Sequence, residues 1–240
     1  MEKLNFVATE GDASMPEASL GQKAVAEAVG TFVLTFVGAG SAVAAYSMAG
    51  SGAQGLIVAA LANGLALAVA VSATMNVSGG NINPAVSLAL LLTKKIQART
   101  AMVYVVAQIV GATVAAALLR VSLPAGRAVL WGTPTISPSI SLTQAVVIEA
   151  AMTFILVFAV FGTAVDERAP KIGGFGIGLA VTADVLIGGP FTGAAMNPAR
   201  EIGPAIVSGF LSNWYVYWIG DLLGAALAAL VYGYLILRIR

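Results

Sequence analysis

An Asn-Pro-Ala triplet occurs twice in this chain, and the pair constrains the possible fold more than any other feature. The first lies in Ser78-Gly79-Gly80-Asn81-Ile82-Asn83-Pro84-Ala85-Val86-Ser87, the second in Thr192-Gly193-Ala194-Ala195-Met196-Asn197-Pro198-Ala199-Arg200. Both sit in turns of small residues, and a short apolar run follows each. Proline suits the first position of a helix, where its missing N–H would lack a partner anyway. Asparagine just before it is a favoured N-cap. Asn83-Pro84 and Asn197-Pro198 therefore start short helices, placed near 84–92 and 198–207. Helix starts at bilayer depth are tolerated only where they line a cavity or lie buried in protein. Two of them at matched positions point to a binding or conduction site near the midplane.

The chain around the triplets reads as a membrane protein. Of 240 residues, 59% are hydrophobic and 10% charged, against about 25% charged in soluble domains. Cysteine and histidine are both absent, which removes disulfides, thiolate metal sites and the usual proton shuttle. No cofactor or metal is implied. A net charge of +1 offers no basic face to nucleic acid. No nucleophile–base pair or phosphate loop supports an enzyme. Residues 1–22 read as a polar cytoplasmic tail rather than a signal peptide. Hydropathy places six spans near 23–47, 54–74, 100–120, 142–163, 173–189 and 214–237, each long enough for a hydrocarbon core of about 30 Å. Breaks are expected at Ala49-Gly50-Ser51-Gly52, Lys94-Lys95, Pro124 to Pro138, Asp166 to Pro170 and Ser212-Asn213.

Residues 23–237 form one membrane domain whose halves, about 23–120 and 142–237, repeat. Glu27 to Leu34 recurs as Glu149 to Leu156, and Gly64-Leu65-Ala66 recurs as Gly178-Leu179-Ala180. The triplets follow at the same interval, and Gln108 to Ala112 returns as Asp221 to Ala225. Three spans per half is an odd number, so the second half enters from the opposite side, an inverted repeat. Lys3, Lys23, Lys94, Lys95, Arg99, Arg168, Lys171, Arg238 and Arg240 fall on the side of the termini, and Arg120 and Arg127 opposite. The positive-inside rule then makes both termini cytoplasmic. Small residues at Gly30, Gly38, Gly111, Gly174, Gly178, Gly220 and Gly224 are expected to serve close helix packing.

Each helix start carries about half a positive charge, so two facing starts oppose cations, including protons. The amides of Asn83 and Asn197 can donate hydrogen bonds into a lumen. A water held this way keeps its own hydrogens for its neighbours and relays no proton. The alternative is that both asparagines only cap buried helix ends.

The two boxes, the Glu-x-x-x-Thr-Phe signatures at Glu27 and Glu149, Gln108 and the Arg200 ending resemble the aquaporin and glycerol-facilitator family over about residues 23–237. Residues 145–220 are most similar to its tonoplast intrinsic branch. The resemblance implies an all-α right-handed bundle of six transmembrane helices with two re-entrant half-helices, assembled as a homotetramer with one pore per subunit. It also implies a pore at Asn83, Pro84, Ala85, Asn197, Pro198 and Ala199, and an outer constriction of Asn63, Val185, Ala194 and Arg200. Water-selective members carry an aromatic ring and a histidine at the first two of these four positions. Here Asn63 widens the aperture and adds an amide, and Val185 makes one wall apolar; alternatively Asn63 turns into a helix contact and the opening stays narrow. An arginine within a membrane is costly and functional by default; the alternative for Arg200 is snorkelling to the interface. Glu27 and Glu149 are implied to support the backbone behind each half-helix.

Glu201, Asp184 and Asp221 are possible modulators. Glu201 stands where glycerol facilitators carry an acid, whereas Tyr217-Trp218 resembles water channels. Asp184 adjoins Val185 and can face the lumen, a helix interface or the mouth; as a buried acid it could make conduction depend on pH. The expected function is passive passage of water and small neutral solutes such as glycerol, urea, ammonia or an uncharged metalloid acid, from a place in the lipid bilayer of a plasma membrane. The rivals are a water-only channel, an ion-coupled secondary transporter and a non-conducting structural member.

Overall fold

A computed structural model describes residues 17–49, 52–170 and 172–238. Lys3, Gly50, Ser51, Lys171 and Arg240, which entered the orientation and loop expectations, lie outside the described residues. The order is α1 (Leu20–Ala49), α2 (Ala53–Ser78), α3 (Pro84–Leu92), α4 (Ala98–Ser122), α5 (Leu142–Val160), α6 (Gly174–Thr192), α7 (Pro198–Ser208) and α8 (Trp214–Ala228). Among the described residues six helices are long and apolar enough to cross a bilayer. Helices α3 and α7, at 9 and 11 residues, rise only about 14–17 Å and reach roughly halfway.

Sequence explains why these helices stand in lipid. On α4, Met102, Val106, Val110, Val114 and Leu118 recur every fourth residue and are exposed. The opposite face buries Tyr104, Gln108, Gly111, Ala115 and Leu119. Position i+4 falls on the same face of a helix, so the apolar stripe faces outward and the small and polar residues face inward. In water such a surface would be a liability; in a bilayer it is the solvent-facing side. Four-residue spacing also exposes Ile57, Leu61, Leu65 and Val69 on α2.

The halves pack by matched rules. Helix α1 packs on α2 and α4, as α5 packs on α6 and α8, and α2 on α6 joins the halves. Each half-helix leans on the last span of the opposite half as well as its own: α7 on α4, α3 on α8. Close approach needs glycine at the crossings. A Cβ on Gly64 would run into Gly178 O and Thr182, and one on Gly178 into Gly64 O and Ala68. A Cβ on Gly111 would overlap the Ala28 carbonyl, and one on Gly224 the Ala150 carbonyl. These contacts are repeat-equivalent, so they belong to the shared architecture of the halves.

Some local features were not expected. Helix α1 begins at Leu20, and α6 continues to Thr192 with Pro190 inside it, where the ring removes one i→i−4 hydrogen bond. Helices α5 and α8 end in wider, π-type turns at Phe161–Val165 and Ala229–Ile236. The Pro124–Gly132 segment winds as 3₁₀ turns with Leu130 and Trp131 at positive φ. At the end of α5, Asp166 accepts from Arg168 Nε at 2.8 Å and from Tyr232 Oη at 3.2 Å. The Arg168 guanidinium holds that carboxyl below its usual range, so the loop stays tied at neutral pH and loosens only on strong acidification.

Gly111→Val is expected to destabilise the bundle by about 3 kcal/mol through overpacking, read as a lower melting temperature of the purified protein. Gly52→Ala, where an added Cβ meets nothing within 4 Å, is expected to be neutral in the same assay.

Candidate functional site

The two half-helices meet tip to tip. Asn83 Oδ1 accepts from Ala85 N at 2.8 Å, and Asn197 Oδ1 accepts from Ala199 N at 3.0 Å and Arg200 N at 3.2 Å. These are N-caps in the ordinary sense. Each amide also reaches across. Asn83 Nδ2 donates to Met196 O at 2.7 Å, and Asn197 Nδ2 donates to Ile82 O at 2.9 Å. A primary amide carries two hydrogens, so one of each pair braces the opposite box and a second remains on each amide. Each asparagine thus caps its own helix, as expected, and also binds the opposite box, a cross-contact the sequence did not show.

Behind each tip stands a carboxylate. Glu27 accepts from Asn81 N at 2.9 Å, Ile82 N at 2.6 Å, Ser78 Oγ at 2.6 Å and Gln108 Nε2 at 2.7 Å. Glu149 accepts from Ala195 N at 3.1 Å and Met196 N at 2.9 Å. Backbone donors buried in a membrane must be satisfied within the protein, and these two acids satisfy four of them. Tyr104 Oη donates to Ser78 O at 2.7 Å, and Tyr217 Oη donates to Thr192 O at 2.8 Å. The chain reaches each tip through left-handed backbone: Gly79, Gly80 and Ile82 in one half, Gly193, Ala194 and Met196 in the other. Ile82 at φ 58 and Met196 at φ 48 each cost on the order of 1–2 kcal/mol, and the carboxylate contacts at their N–H groups hold them there. No motif in the sequence announced this conformation.

Three spaces lie in file through the molecule. On the side of the termini a cavity of about 1120 Å³ reaches Asn81 and Asn83. On the far side a cavity of about 790 Å³ reaches Asn63, Val185 and Arg200. Between them a space of about 20 Å³ is bordered by Asn83, Asn197, Asn63, Ala194 and Arg200, with Leu67, Leu156 and Val181 as apolar wall. A water needs roughly 10–15 Å³ of such volume, so occupancy there is single file. Asn83 borders the first and middle spaces; Asn63 and Arg200 border the middle and outer ones.

Arg200 is buried, and its Nη1 donates to Gly132 O at 3.0 Å, while among the described residues its Nε has no partner. Snorkelling is therefore not its geometry. Sequence reading missed Gly132, 68 residues away in the loop before α5. Its φ is +76, and an added Cβ would lie 2.6 Å from Ala39 Cα, so glycine lets the loop press on α1 and aim that carbonyl at the guanidinium. Trp131 anchors the same loop, with Nε1 donating to Leu123 O at 3.1 Å and the Arg120 guanidinium over its ring.

Other expectations are revised. The Asn63 amide donates to Ala59 O at 2.9 Å and to Gly38 O at 3.5 Å, so its hydrogens go to helix backbone although the side chain borders two cavities. Asp184 is buried and borders none of the three spaces, which leaves the helix interior rather than the lumen as its place. Glu201 is buried as well, and among the described residues no ion pair joins it to Arg200. Asp221, the repeat counterpart of Gln108, accepts from Thr153 Oγ1 at 3.2 Å and belongs to the support behind Glu149.

Comparison with known proteins agrees with this architecture. The family model described as Major intrinsic protein matches residues 14–232. Aquaporin TIP1-2 of Zea mays is 44% identical over 232 residues, covering 94% of this chain and 89% of that protein. Probable aquaporin TIP3-2 of Arabidopsis thaliana is 43% identical over 224 residues, covering 89% of this chain and 83% of that protein. The X-ray structure of the aquaglyceroporin from Plasmodium falciparum matches with a TM-score of 0.79 at 26% identity, covering 92% of this chain and 98% of that one.

Glu27→Ala strips the acceptor from Asn81 N and Ile82 N. Each orphaned buried donor costs about 1–3 kcal/mol, so a clear drop in melting temperature is expected, with Glu27→Gln falling less because its amide oxygen still accepts.

Proposed function

The chain belongs to the major intrinsic protein family, and on that premise we propose a passive channel that passes water and small neutral solutes and turns away ions and protons. It is an integral membrane channel of the aquaporin type and not an enzyme. The observation that carries the proposal is the convergence of two asparagine-capped helix starts on one single-file space. Both helix ends present partial positive charge to that space, and Arg200 adds a full one beside it. A cation entering would shed its hydration and meet three repulsive centres, and among the described residues no carboxylate borders the middle space to offset them. A neutral oxygen meets donors from Asn83, Asn197 and Arg200 instead.

The constriction is assigned to Asn63, Val185, Ala194 and Arg200. Neither Val185 nor Ala194 offers a polar side chain, and the hydrogens of the Asn63 amide are already engaged, which lowers the cost of bringing a partly apolar solute past Arg200. Glycerol, urea, ammonia and uncharged metalloid acids fit that chemistry. A second reading, a channel for water alone, is favoured by one observation, the middle space of only about 20 Å³. We place both termini on the cytoplasmic side because Lys23, Lys94, Lys95, Arg99 and Arg168 share one face of the membrane, opposed by Arg120 and Arg127. Assembly as a homotetramer, one lumen per subunit, completes the reading.

Reconstituted vesicles in a stopped-flow panel test it. Rapid water flux is expected together with measurable flux of glycerol, urea, ammonia or a metalloid acid, without an imposed ion gradient and without current. Water flux with none of these solutes selects the water-only reading. Proton current, or transport that needs an ion gradient, overturns the proposal.

A further inference from the structure

Gly38 borders the outer cavity on α1, directly opposite Asn63 on α2. A Cβ built on Gly38 would land on Asn63 Oδ1, with Asn63 Cγ 2.9 Å and Nδ2 3.4 Å away, and these three atoms are its nearest neighbours. The bare Cα is therefore a seat for the Asn63 carboxamide. That carboxamide is fastened in the seat by its donation to Ala59 O at 2.9 Å and by the longer contact to Gly38 O at 3.5 Å. From the same position Asn63 borders both the outer and the middle space, beside Arg200.

We infer that Gly38 is a specificity-determining position of this channel: by carrying no side chain it lets the Asn63 carboxamide lie against α1, out of the path beside Arg200. The inference rests on the channel reading above and deepens it. A side chain on a helix has few staggered alternatives, roughly 120° apart, and one of the three is disfavoured by the preceding turn. Denied its seat, the Asn63 carboxamide moves to another rotamer and trades the Ala59 carbonyl for the lumen. There it both narrows the opening and adds a polar group at the point where a larger solute must shed water. Water, smaller and able to bond with that amide, is affected less. Gly38 thus acts through Asn63 and is a positioning residue, unlike Gly30 and Gly111, whose added Cβ would meet Ile82 and the Ala28 backbone.

The test compares wild type, Gly38→Ala, Asn63→Ala and the double variant Gly38→Ala/Asn63→Ala in the same vesicles, with water and glycerol flux normalised to reconstituted protein. Gly38→Ala is expected to lower glycerol flux about tenfold or more, equivalent to about 1.4 kcal/mol on the barrier, while water flux falls far less. The double variant is expected to regain glycerol flux, because Asn63 supplies the three nearest contacts of the added methyl. Equal losses of water and glycerol without rescue, or no change in Gly38→Ala, overturn the inference. If Gly38→Ala fails to assemble but the double variant assembles and conducts, the clash is located at Asn63 as inferred; failure of both overturns it. If the wild type carries water and no glycerol, the solute reading falls separately. The inference is then read on water, which Gly38→Ala must lower and the double variant restore.

Discussion

Two reciprocal hydrogen bonds, Asn83 to Met196 O and Asn197 to Ile82 O, hold the halves of this protein together at the one place where neither half is a continuous helix. A half-helix in a bilayer is a problem to be solved. Its first N–H groups and the loop leading to it have no helical partners, and hydrocarbon supplies none. Here each tip satisfies part of the other. The asparagine oxygen caps its own helix and one amide hydrogen binds the opposing loop, which leaves a second hydrogen on each amide.

Much of the surrounding structure follows from keeping those tips in register. Glu27 and Glu149 gather the loop N–H groups, Tyr104 and Tyr217 donate to the carbonyls of Ser78 and Thr192 that end the helices before each loop, and Gly64 and Gly178 let the halves approach at their seam. The correspondence is close but not complete. Gln108 donates to Glu27, whereas its counterpart Asp221 accepts from Thr153. The second half therefore carries more buried acid behind its tip than the first, with Asp184 and Glu201 also buried there. Asymmetry appears on the lumen side as well: Val86 follows the first Asn-Pro-Ala where Arg200 follows the second, and Arg200 donates to Gly132 O in the segment between the halves.

What could be read from sequence was what local chemistry decides. The starts of α3 and α7 at Pro84 and Pro198 follow from capping rules that span a few residues. Six spans follow from hydropathy, and the doubled boxes announce that two helix ends belong together. What could not be read depends on residues distant in the chain. Nothing near Arg200 points to Gly132, because the loop conformation that aims that carbonyl is set by packing on Ala39. The side on which Asn63 settles depends on an absence at Gly38, and small residues on helix faces all look alike in sequence. Asp184 next to Val185 invited a lumen role, yet adjacent residues on a helix point about 100° apart, and the acid lies off the path.

Locking of the tips can be measured as a coupling. In a double-mutant cycle, Asn83→Ala and Asn197→Ala are introduced singly and together, and the free energy of thermal or denaturant unfolding of the purified protein is compared. Residues in one network show interaction energies of about 0.5–3 kcal/mol, whereas independent sites add within about 0.5 kcal/mol. Reciprocal bracing predicts that the first substitution removes much of what the second would, so that the pair costs less than the sum of the singles. Strict additivity would mean that the two tips are held by their own halves alone, and would contradict the idea that each completes the other.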